Sequence, residues 1–260
     1  MSGQAAAAPE ALVDRDGAIL IITINRPDQK NAMTRAVGEI IAGAMDELDS
    51  DPSLSVAVLT GAGGTFCSGM DLKRFAAGER ASVPGRGFGG LTECPPAKPL
   101  IAAVEGYAVA GGFELVLACD LVVAGRSARF GLPEIKRGLV ARGGGLIRLP
   151  RLVPRALAME LILTGDMVTA ERAASLGLVN RLVDDMRAAG EAISLARTLA
   201  ANAPLALAAS KRVATESADW PMAEAFVRQA PIADPVFASQ DAREGARAFT
   251  QKRAPVWRGH

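Results

Sequence analysis

Residues 106–115, with the sequence GYAVAGGFEL, decide the fold of this 260-residue chain. A buried strand at residues 100–104 is predicted to end just before them. A glycine turn follows, and Gly111 and Gly112 then open an apolar helix that runs toward Cys119. Glycine lets a ligand approach the backbone closely, and the free amides of a helix N-terminus favour negative charge. The stretch therefore predicts a strand-turn-helix join whose backbone can bind an anion.

Residues 65–73, TFCSGMDLK, repeat this pattern. Small residues through Gly69 permit a sharp turn, and Asp71 begins a predicted helix, so the amide of Met70 would lie at a second helix N-terminus. An ordinary strand-turn-helix join also explains either segment taken alone. Two helix N-termini directed at one point would form an oxyanion hole.

Strands and helices alternate outward from these segments. Residues 18–25, 55–60, 100–104 and 121–124 are rich in β-branched or apolar residues and are predicted strands. Residues 34–48 have a helical apolar period, with Thr34 as the N-cap. The alternation predicts an α/β layer architecture.

The character of the chain changes at Ala188, where alanine-rich amphipathic stretches begin. We predict a core at residues 1–187 and a helical C-terminal region at residues 188–260. Residues 78–90, GERASVPGRGFGG, are dense in glycine and polar residues, which favours a mobile loop, with a lid over a ligand as the alternative.

Composition excludes several functional classes. The 29 basic and 28 acidic residues nearly balance and form no basic stripe, so nucleic acid is not an expected partner. The N-terminal residues 1–9 lack the features of a secretory signal, and no apolar stretch is long enough to span a bilayer, so no membrane partner is expected.

Three scattered cysteines fit neither a disulfide framework nor a zinc site and indicate a reducing cytoplasm. Cys67 is interpreted as a small packing residue. The only histidine is His260, which excludes Ser-His-Asp and Cys-His catalysis and His-rich metal sites.

Two acids lie beside apolar residues. Glu114 falls in the first turn of the helix opened by Gly111, where it could also simply complement the helix dipole. Glu134 follows a turn and precedes Ile135. Two carboxylates in surroundings of low polarity suit general acid-base chemistry, because desolvation can raise one pKa toward the working pH while the other group stays ionised.

Together these segments resemble the crotonase (enoyl-CoA hydratase) superfamily over nearly the whole chain, from about residue 18 to residue 255. The motifs are specific as a spaced set and weak one by one. They are residues 66–73 (FCSGMDLK), 106–115, 118–120 (ACD), 130–134 (FGLPE), 163–165 (LTG) and 170–180.

The resemblance implies a spiral of β-β-α units with a helical C-terminal region that forms trimers, or dimers of trimers. It implies that the backbone amides of Met70 and Gly111 bind the oxygen of an acyl-CoA thioester. It also implies an enoyl-CoA hydratase in which Glu114 orients and deprotonates water and Glu134 supplies the proton at the α-carbon. The chemistry needs neither a metal nor a cofactor beyond the coenzyme A of the substrate.

The same resemblance implies a set of residues that contact the coenzyme A thioester. Lys73 resembles a lysine near the coenzyme A phosphates, although it could equally be a solvated helix charge, and residues 30–32 resemble the segment that lines the adenine and pantetheine. The expected substrate-binding residues are Lys30, Ala32, Ser68, Gly69, Asp71, Leu72 and Lys73.

Two positions depart from the family pattern. Ala110 stands where many hydratases have glycine, and Arg142 lies in a basic segment that could meet a polar acyl group or simply face solvent. Two alternatives to the hydratase also stay open. One is an enoyl-CoA isomerase, which manages with one acid, and the other is an acyl-CoA binding protein without turnover.

Overall fold

The computed structural model describes residues 8–260, so the predicted N-terminal tail lies outside the described residues except for residues 8 and 9. The described residues form eleven strands. They are β1 (Ala11–Asp16), β2 (Ile19–Ile24), β3 (Val56–Gly61), β4 (Ser82–Val83), β5 (Gly87–Phe88), β6 (Leu100–Val104), β7 (Tyr107–Val109), β8 (Leu121–Gly125), β9 (Arg129–Gly131), β10 (Val168–Thr169) and β11 (Arg181–Val183).

Ten α-helices accompany these strands in the described residues. They are α1 (Arg35–Ser50), α2 (Leu72–Ala76), α3 (Gly111–Leu117), α4 (Gly145–Leu152), α5 (Arg155–Thr164), α6 (Ala170–Ser175), α7 (Ala188–Ala200), α8 (Pro204–Glu216), α9 (Met222–Ala238) and α10 (Gln240–Thr250). Short 3-10 helices span Pro27–Gln29, Pro133–Arg137 and Ser217–Asp219.

Six strands form the main sheet, in the order β1-β2-β3-β6-β8-β11. Only the pair β1 and β2 is antiparallel; the others run parallel. A parallel sheet must be covered on both faces. Here α7 covers one face, which carries Val56, Val58 and Ile101, and the larger core, which includes α1 and α3, lies on the other face.

A smaller sheet has the order β10-β9-β7, and the chain passes from the main sheet to this sheet more than once. Strand β6 of the main sheet is followed by β7 of the small sheet and then by α3, and β8 is followed in the same way by β9 and, after the short 3-10 helix, α4. This repeat of two strands and a helix confirms the predicted β-β-α units.

The predicted strands and the first helix are confirmed. Thr34 is the N-cap of α1, and its side-chain oxygen accepts a hydrogen bond from the amide of Val37 at 3.2 Å. The edge strand β1 was not predicted from the sequence, because four of its six residues are exposed and three are charged. It is held by its pairing with β2, which a local pattern does not contain.

The region after residue 188 is helical, as predicted. Its first helix, α7, packs on the main sheet through Ala188, Ala192 and Leu195, so the change in composition at residue 188 falls inside the packed core. Helices α8 and α9, by contrast, contain no buried residue within this single chain. The division into residues 1–187 and 188–260 stays a prediction.

Within residues 8–260, no single helix has the length and apolarity needed to cross a membrane. One pair of consecutive helices has this length and apolarity when the two are taken together. The pair is Ala188–Ala200 with Pro204–Asp219, and it is bent by 106°.

Candidate active site

Two backbone amides, those of Met70 and Gly111, lie on adjacent segments and have no acceptor among residues 8–260. Met33 binds the residues on either side of Met70, donating to the carbonyl of Gly69 at 2.8 Å and accepting from Asp71 at 3.0 Å. The amide of Met70 itself is left free, and Gly111, as the first residue of α3, has no acceptor within its helix. Among residues 8–260, neither amide donates a hydrogen bond to another residue.

The segments that carry these amides are in contact. A Cβ atom placed on Gly69 would lie 2.8 Å from the Cβ of Ala110 and 3.3 Å from the nitrogen of Gly111. Glycine at position 69, with φ of 91°, is what permits this approach. The structure therefore brings together the two amides that the sequence predicted for an oxyanion hole.

Asp71 organises the start of α2. Its Oδ1 accepts hydrogen bonds from the amides of Lys73 and Arg74, and its Oδ2 accepts one from the buried guanidinium of Arg26 at 3.0 Å. Both oxygens therefore have structural partners, and contact between Asp71 and substrate stays a prediction. Sequence analysis missed Arg26, whose only local signal is its place at the end of a strand.

The segment of residues 30–32 runs beside the segment that carries the free amide of Met70. The carbonyl of Lys30 accepts a hydrogen bond from the amide of Ser68 at 3.0 Å, and its Nζ lies 5.6 Å from the centre of the Tyr107 ring. Asn31, which is fully buried, donates to the carbonyls of Ala62 and Thr65 and so fixes the segment on the strand-turn that precedes the site.

The remaining predicted substrate-binding residues differ in their exposure to solvent. Gly69 and Ala32 are buried next to the free amides, whereas Leu72 and Lys73 are exposed on α2. Their roles in binding stay predictions.

Glu114 is buried in the first turn of α3, with 3% of its surface exposed. Its Oε1 accepts a hydrogen bond from the amide of Gly145 at 2.9 Å. Burial raises the pKa of Glu114 to about 7, and the charge of Glu134 adds to the rise, while the amides of Gly143 and Gly145 and the Arg148 guanidinium oppose it. A carboxyl group with this pKa can accept or release a proton near neutral pH.

Glu134 lies on the short helix Pro133–Arg137 and is half-buried. Its Oε2 is shielded from solvent and has no hydrogen-bond partner among the described residues. Burial raises the pKa of Glu134, and its own amide and Arg137 oppose the rise. The two acids predicted from the sequence thus share an environment in which protonation is favoured, and the charge of one acts on the other.

A turn of three glycines, Gly143, Gly144 and Gly145, encloses the carboxylate of Glu114. A Cβ atom on Gly143 would lie 2.5 Å from Oε2 of Glu114, and one on Gly145 would lie 3.1 Å from Oε1. The contact between this tri-glycine turn and Glu114 was not predicted from the sequence. The signal was present, because three successive glycines before a helix indicate a close approach to the backbone.

Residues 78–90 contain a short hairpin of β4 and β5, and the predicted mobility of this segment stays a prediction. Its glycines allow close packing, since a Cβ atom on Gly90 would overlap the carbonyl oxygen of Gly38 in α1. The ring of Phe88, at the end of β5, lies directly against Gly111, where a Cβ atom would overlap it. The hairpin therefore forms a wall beside the free amide of Gly111.

Two other sequence interpretations concern Cys67 and Arg142. Cys67 is fully buried, and burial raises the pKa of its thiol to about 12, which supports a packing role. Arg142 is exposed and makes no ion pair among residues 8–260. Its contact with an acyl group stays a prediction.

The chain is similar in sequence to known proteins over nearly its whole length. The model of a family described as enoyl-CoA hydratase/isomerase matches residues 14–260. The chain is 44% identical over 258 residues to the enoyl-CoA hydratase EchA19 of Mycobacterium tuberculosis, covering 95% of this chain and 96% of that protein. It is 43% identical over 254 residues to the carnitinyl-CoA dehydratase of Salmonella typhi, covering 94% and 97%.

Solved structures agree with these matches. The crystal structure of an enoyl-CoA hydratase from Mycobacterium tuberculosis superposes with a TM-score of 0.96 at 59% identity, covering 97% of this chain and 100% of that one. The crystal structure of a carnitinyl-CoA hydratase from Mycobacterium avium superposes with a TM-score of 0.79 at 44% identity, covering 98% and 100%.

Proposed function

We infer the reaction from the family of this chain. The chain belongs to the enoyl-CoA hydratase/isomerase family. It is a hydro-lyase of the crotonase type that acts on coenzyme A thioesters. We propose that it adds water across the 2,3 double bond of an enoyl-CoA. The observation that carries this proposal is the pair of acids, Glu114 and Glu134, in surroundings that raise both pKa values.

The free amides of Met70 and Gly111 are the proposed donors to the thioester oxygen. When hydroxide adds to the β-carbon, electrons move onto that oxygen and an enolate forms. Two fixed amides stabilise this charge more strongly than the neutral carbonyl of the substrate, and each such donor is typically worth about 3 kcal/mol in the transition state.

The two glutamates then divide the atoms of water between two carbons. In the proposed cycle, ionised Glu114 takes a proton from water as the hydroxyl oxygen bonds to the β-carbon. Protonated Glu134 gives its proton to the α-carbon as the enolate collapses. The product has gained one water, and a proton passes from Glu114 to Glu134 through solvent to restore the starting state.

The test is the loss of absorbance of the conjugated thioester when crotonyl-CoA or a longer 2-enoyl-CoA is mixed with enzyme. We expect wild type to consume substrate and Glu114→Gln and Glu134→Gln each to lose a hundredfold or more. Glu105→Gln is the matched control, because Glu105 is also buried but holds the amide of Ala188, and it should keep its activity. No hydration by folded wild type at any chain length would overturn the proposal.

Product analysis in the same assay separates hydration from movement of the double bond. A 3-hydroxyacyl-CoA is expected, and a shifted enoyl-CoA as the only product would favour the isomerase. Thermal stabilisation by coenzyme A thioesters without any reaction would favour a binding protein instead.

The C-terminal helices support a proposed homotrimer or dimer of trimers. Large apolar side chains on these helices are exposed in the single chain, more than a lone soluble protomer is expected to show. They are Met222, Phe226, Val227, Phe237 and Phe249. Sedimentation at three or six times the protomer mass is expected, and sedimentation as a monomer would refute the assembly.

A further inference from the structure

Arg148 packs behind the tri-glycine turn. It lies in the first turn of α4, is half-buried, and donates from Nη2 to the carbonyl of Thr92 at 2.7 Å. A Cβ atom on Gly144 would overlap Nη1 of Arg148, and Gly144 has a φ of 102°. The guanidinium therefore lies against the backbone of the turn and ties it to the segment that follows the 78–90 hairpin.

The other two glycines of this turn hold Glu114. Gly145 donates its amide to Oε1 at 2.9 Å, and the backbone of Gly143 approaches Oε2. Any shift of the turn would therefore move the amide that fixes the carboxylate. Arg148 contacts Gly144, between the two glycines that approach Glu114, which makes it a support for that amide.

Arg148 is also the cation that acts on Glu114. The elements packed around α3 offer the carboxylate a second acid, Glu134, from the short helix Pro133–Arg137, the uncharged ring of Phe88 from the hairpin, and Arg148 from α4. Glu134 raises the pKa of Glu114 and Arg148 lowers it. The carboxylate in turn raises the pKa of Arg148, against the lowering effect of burial.

We propose that Arg148 is a positioning residue for hydration, which braces the tri-glycine turn against the carbonyl of Thr92 and keeps positive charge beside Glu114. This inference rests on the proposed function, in which ionised Glu114 deprotonates water. Its consequence is specific: without the guanidinium, Glu114 is protonated at a higher pH and the enzyme loses activity mainly on the acid side.

The experiment compares the pH profiles of Arg148→Gln and Arg151→Gln in the full chain. Arg151 lies on the same helix, is exposed and pairs with Asp219 at 3.3 Å, so it is the matched control. The charge of Arg148 lowers the pKa of Glu114, although burial has the larger effect. We therefore expect the acid limb of kcat/KM for crotonyl-CoA to move upward by up to about one pH unit in Arg148→Gln and to stay in place in Arg151→Gln.

At about pH 6, Arg148→Gln should lose up to roughly tenfold more activity than at about pH 9, because one pH unit changes the ionised fraction about tenfold below the pKa. Arg148→Lys keeps the charge with a shorter reach and should restore much of the acid limb. A uniform loss at every pH, or the same profile shift in Arg151→Gln, would overturn the proposal. Arg148→Lys also keeps the test decisive if Arg148→Gln fails to fold.

A failure of the proposed hydratase function can be distinguished from a failure of the proposal for Arg148. If folded wild type hydrates no enoyl-CoA, the reaction is wrong, and the role of Arg148 is then judged from unfolding. The pH at which the stability of wild type falls should move upward in Arg148→Gln, because the same carboxyl group titrates in both measurements. An unchanged position would refute the effect of the Arg148 charge on Glu114.

Discussion

Replacing Ala110 with glycine should stabilise the protein, although glycine is normally the less stable residue in a fold. Ala110 has φ of 53° and ψ of −129°, a conformation that residues with a Cβ atom rarely adopt. The geometry is imposed by its neighbours. Its amide donates to the carbonyl of Gly131 at 2.9 Å, and its carbonyl accepts from Phe113 and Glu114 at the start of α3.

The magnitude follows from two opposing effects and a smaller third. A residue held in a sparsely populated conformation typically costs about 1–3 kcal/mol. Glycine loses about 0.5–1 kcal/mol more backbone entropy on folding than alanine. The methyl group of Ala110 is half-buried, so its removal forfeits less than the about 0.8 kcal/mol of a fully buried one. The relief of strain exceeds the losses, and we expect Ala110→Gly to gain about 1 kcal/mol.

The assay is denaturant or thermal unfolding at a fixed protein concentration, because any assembly would make the midpoint depend on concentration. A gain of about 1 kcal/mol corresponds to a rise of about 2–4 °C in Tm for a chain of this size. Ala108→Gly is the matched control. Ala108 lies two residues earlier in β7, is fully buried and pairs with Phe130, so its replacement should cost about 1–2 kcal/mol. Equal destabilisation by both variants would refute the strain at Ala110.

Two further predictions concern residues that sequence analysis missed. Because the Phe88 ring lies against Gly111, Phe88→Ala should raise activity on 2-decenoyl-CoA relative to crotonyl-CoA by about tenfold. Val83→Ala should leave this ratio unchanged, because Val83 lies in the paired strand and faces α1. An unaltered ratio in Phe88→Ala would contradict a role of the Phe88 ring as a wall of the site. Glu105 accepts a hydrogen bond from the amide of Ala188 at the start of α7. Glu105→Gln should therefore lower the free energy of unfolding by about 1 kcal/mol without loss of hydration activity. Urea unfolding that shows no change in stability would contradict this contribution.

Local patterns were enough to predict the parts of the site that are local. The two strand-turn-helix joins and Glu114 are each encoded within about ten residues, because glycine placement and helical period are properties of short segments. The same holds for α1, whose cap and apolar period lie together in the sequence. Each of these elements also agrees with its tertiary surroundings, so nothing overrides the local preference.

The missed parts depend on partners far apart in the chain. Arg148 braces a turn against Thr92, 56 residues earlier, and Arg26 binds Asp71, 45 residues later. The packing of the 78–90 hairpin on α1 was not predicted, because glycine in a local pattern indicates flexibility. In the fold those glycines allow close packing on α1. A local sequence pattern cannot show this packing, because α1 is a separate segment of the chain.

Glu114 links function to stability through its protonation. Its carboxyl has a pKa of about 7 in the fold and 4.5 as the reference for an unperturbed side chain. Between these values the folded state holds a proton that the unfolded state has released, so stability is full below about pH 4.5 and falls as the pH rises through about 7. At about 1.36 kcal/mol per pH unit, the loss approaches about 3 kcal/mol above pH 7. The cause is burial of the charged carboxylate that the proposed reaction requires.

Glu114→Gln should therefore be inactive and, at alkaline pH, more stable than wild type. Glutamine keeps an oxygen that can accept the hydrogen bond from Gly145 but never ionises, so the variant avoids the burial of charge. We expect its free energy of unfolding to exceed that of wild type by up to about 3 kcal/mol at pH 8 and to match it near pH 4.5. Urea titrations at both pH values measure this directly. A variant less stable than wild type at pH 8 would mean that the carboxylate is well solvated, and the physical basis for its role as a base near pH 7 would be removed with it.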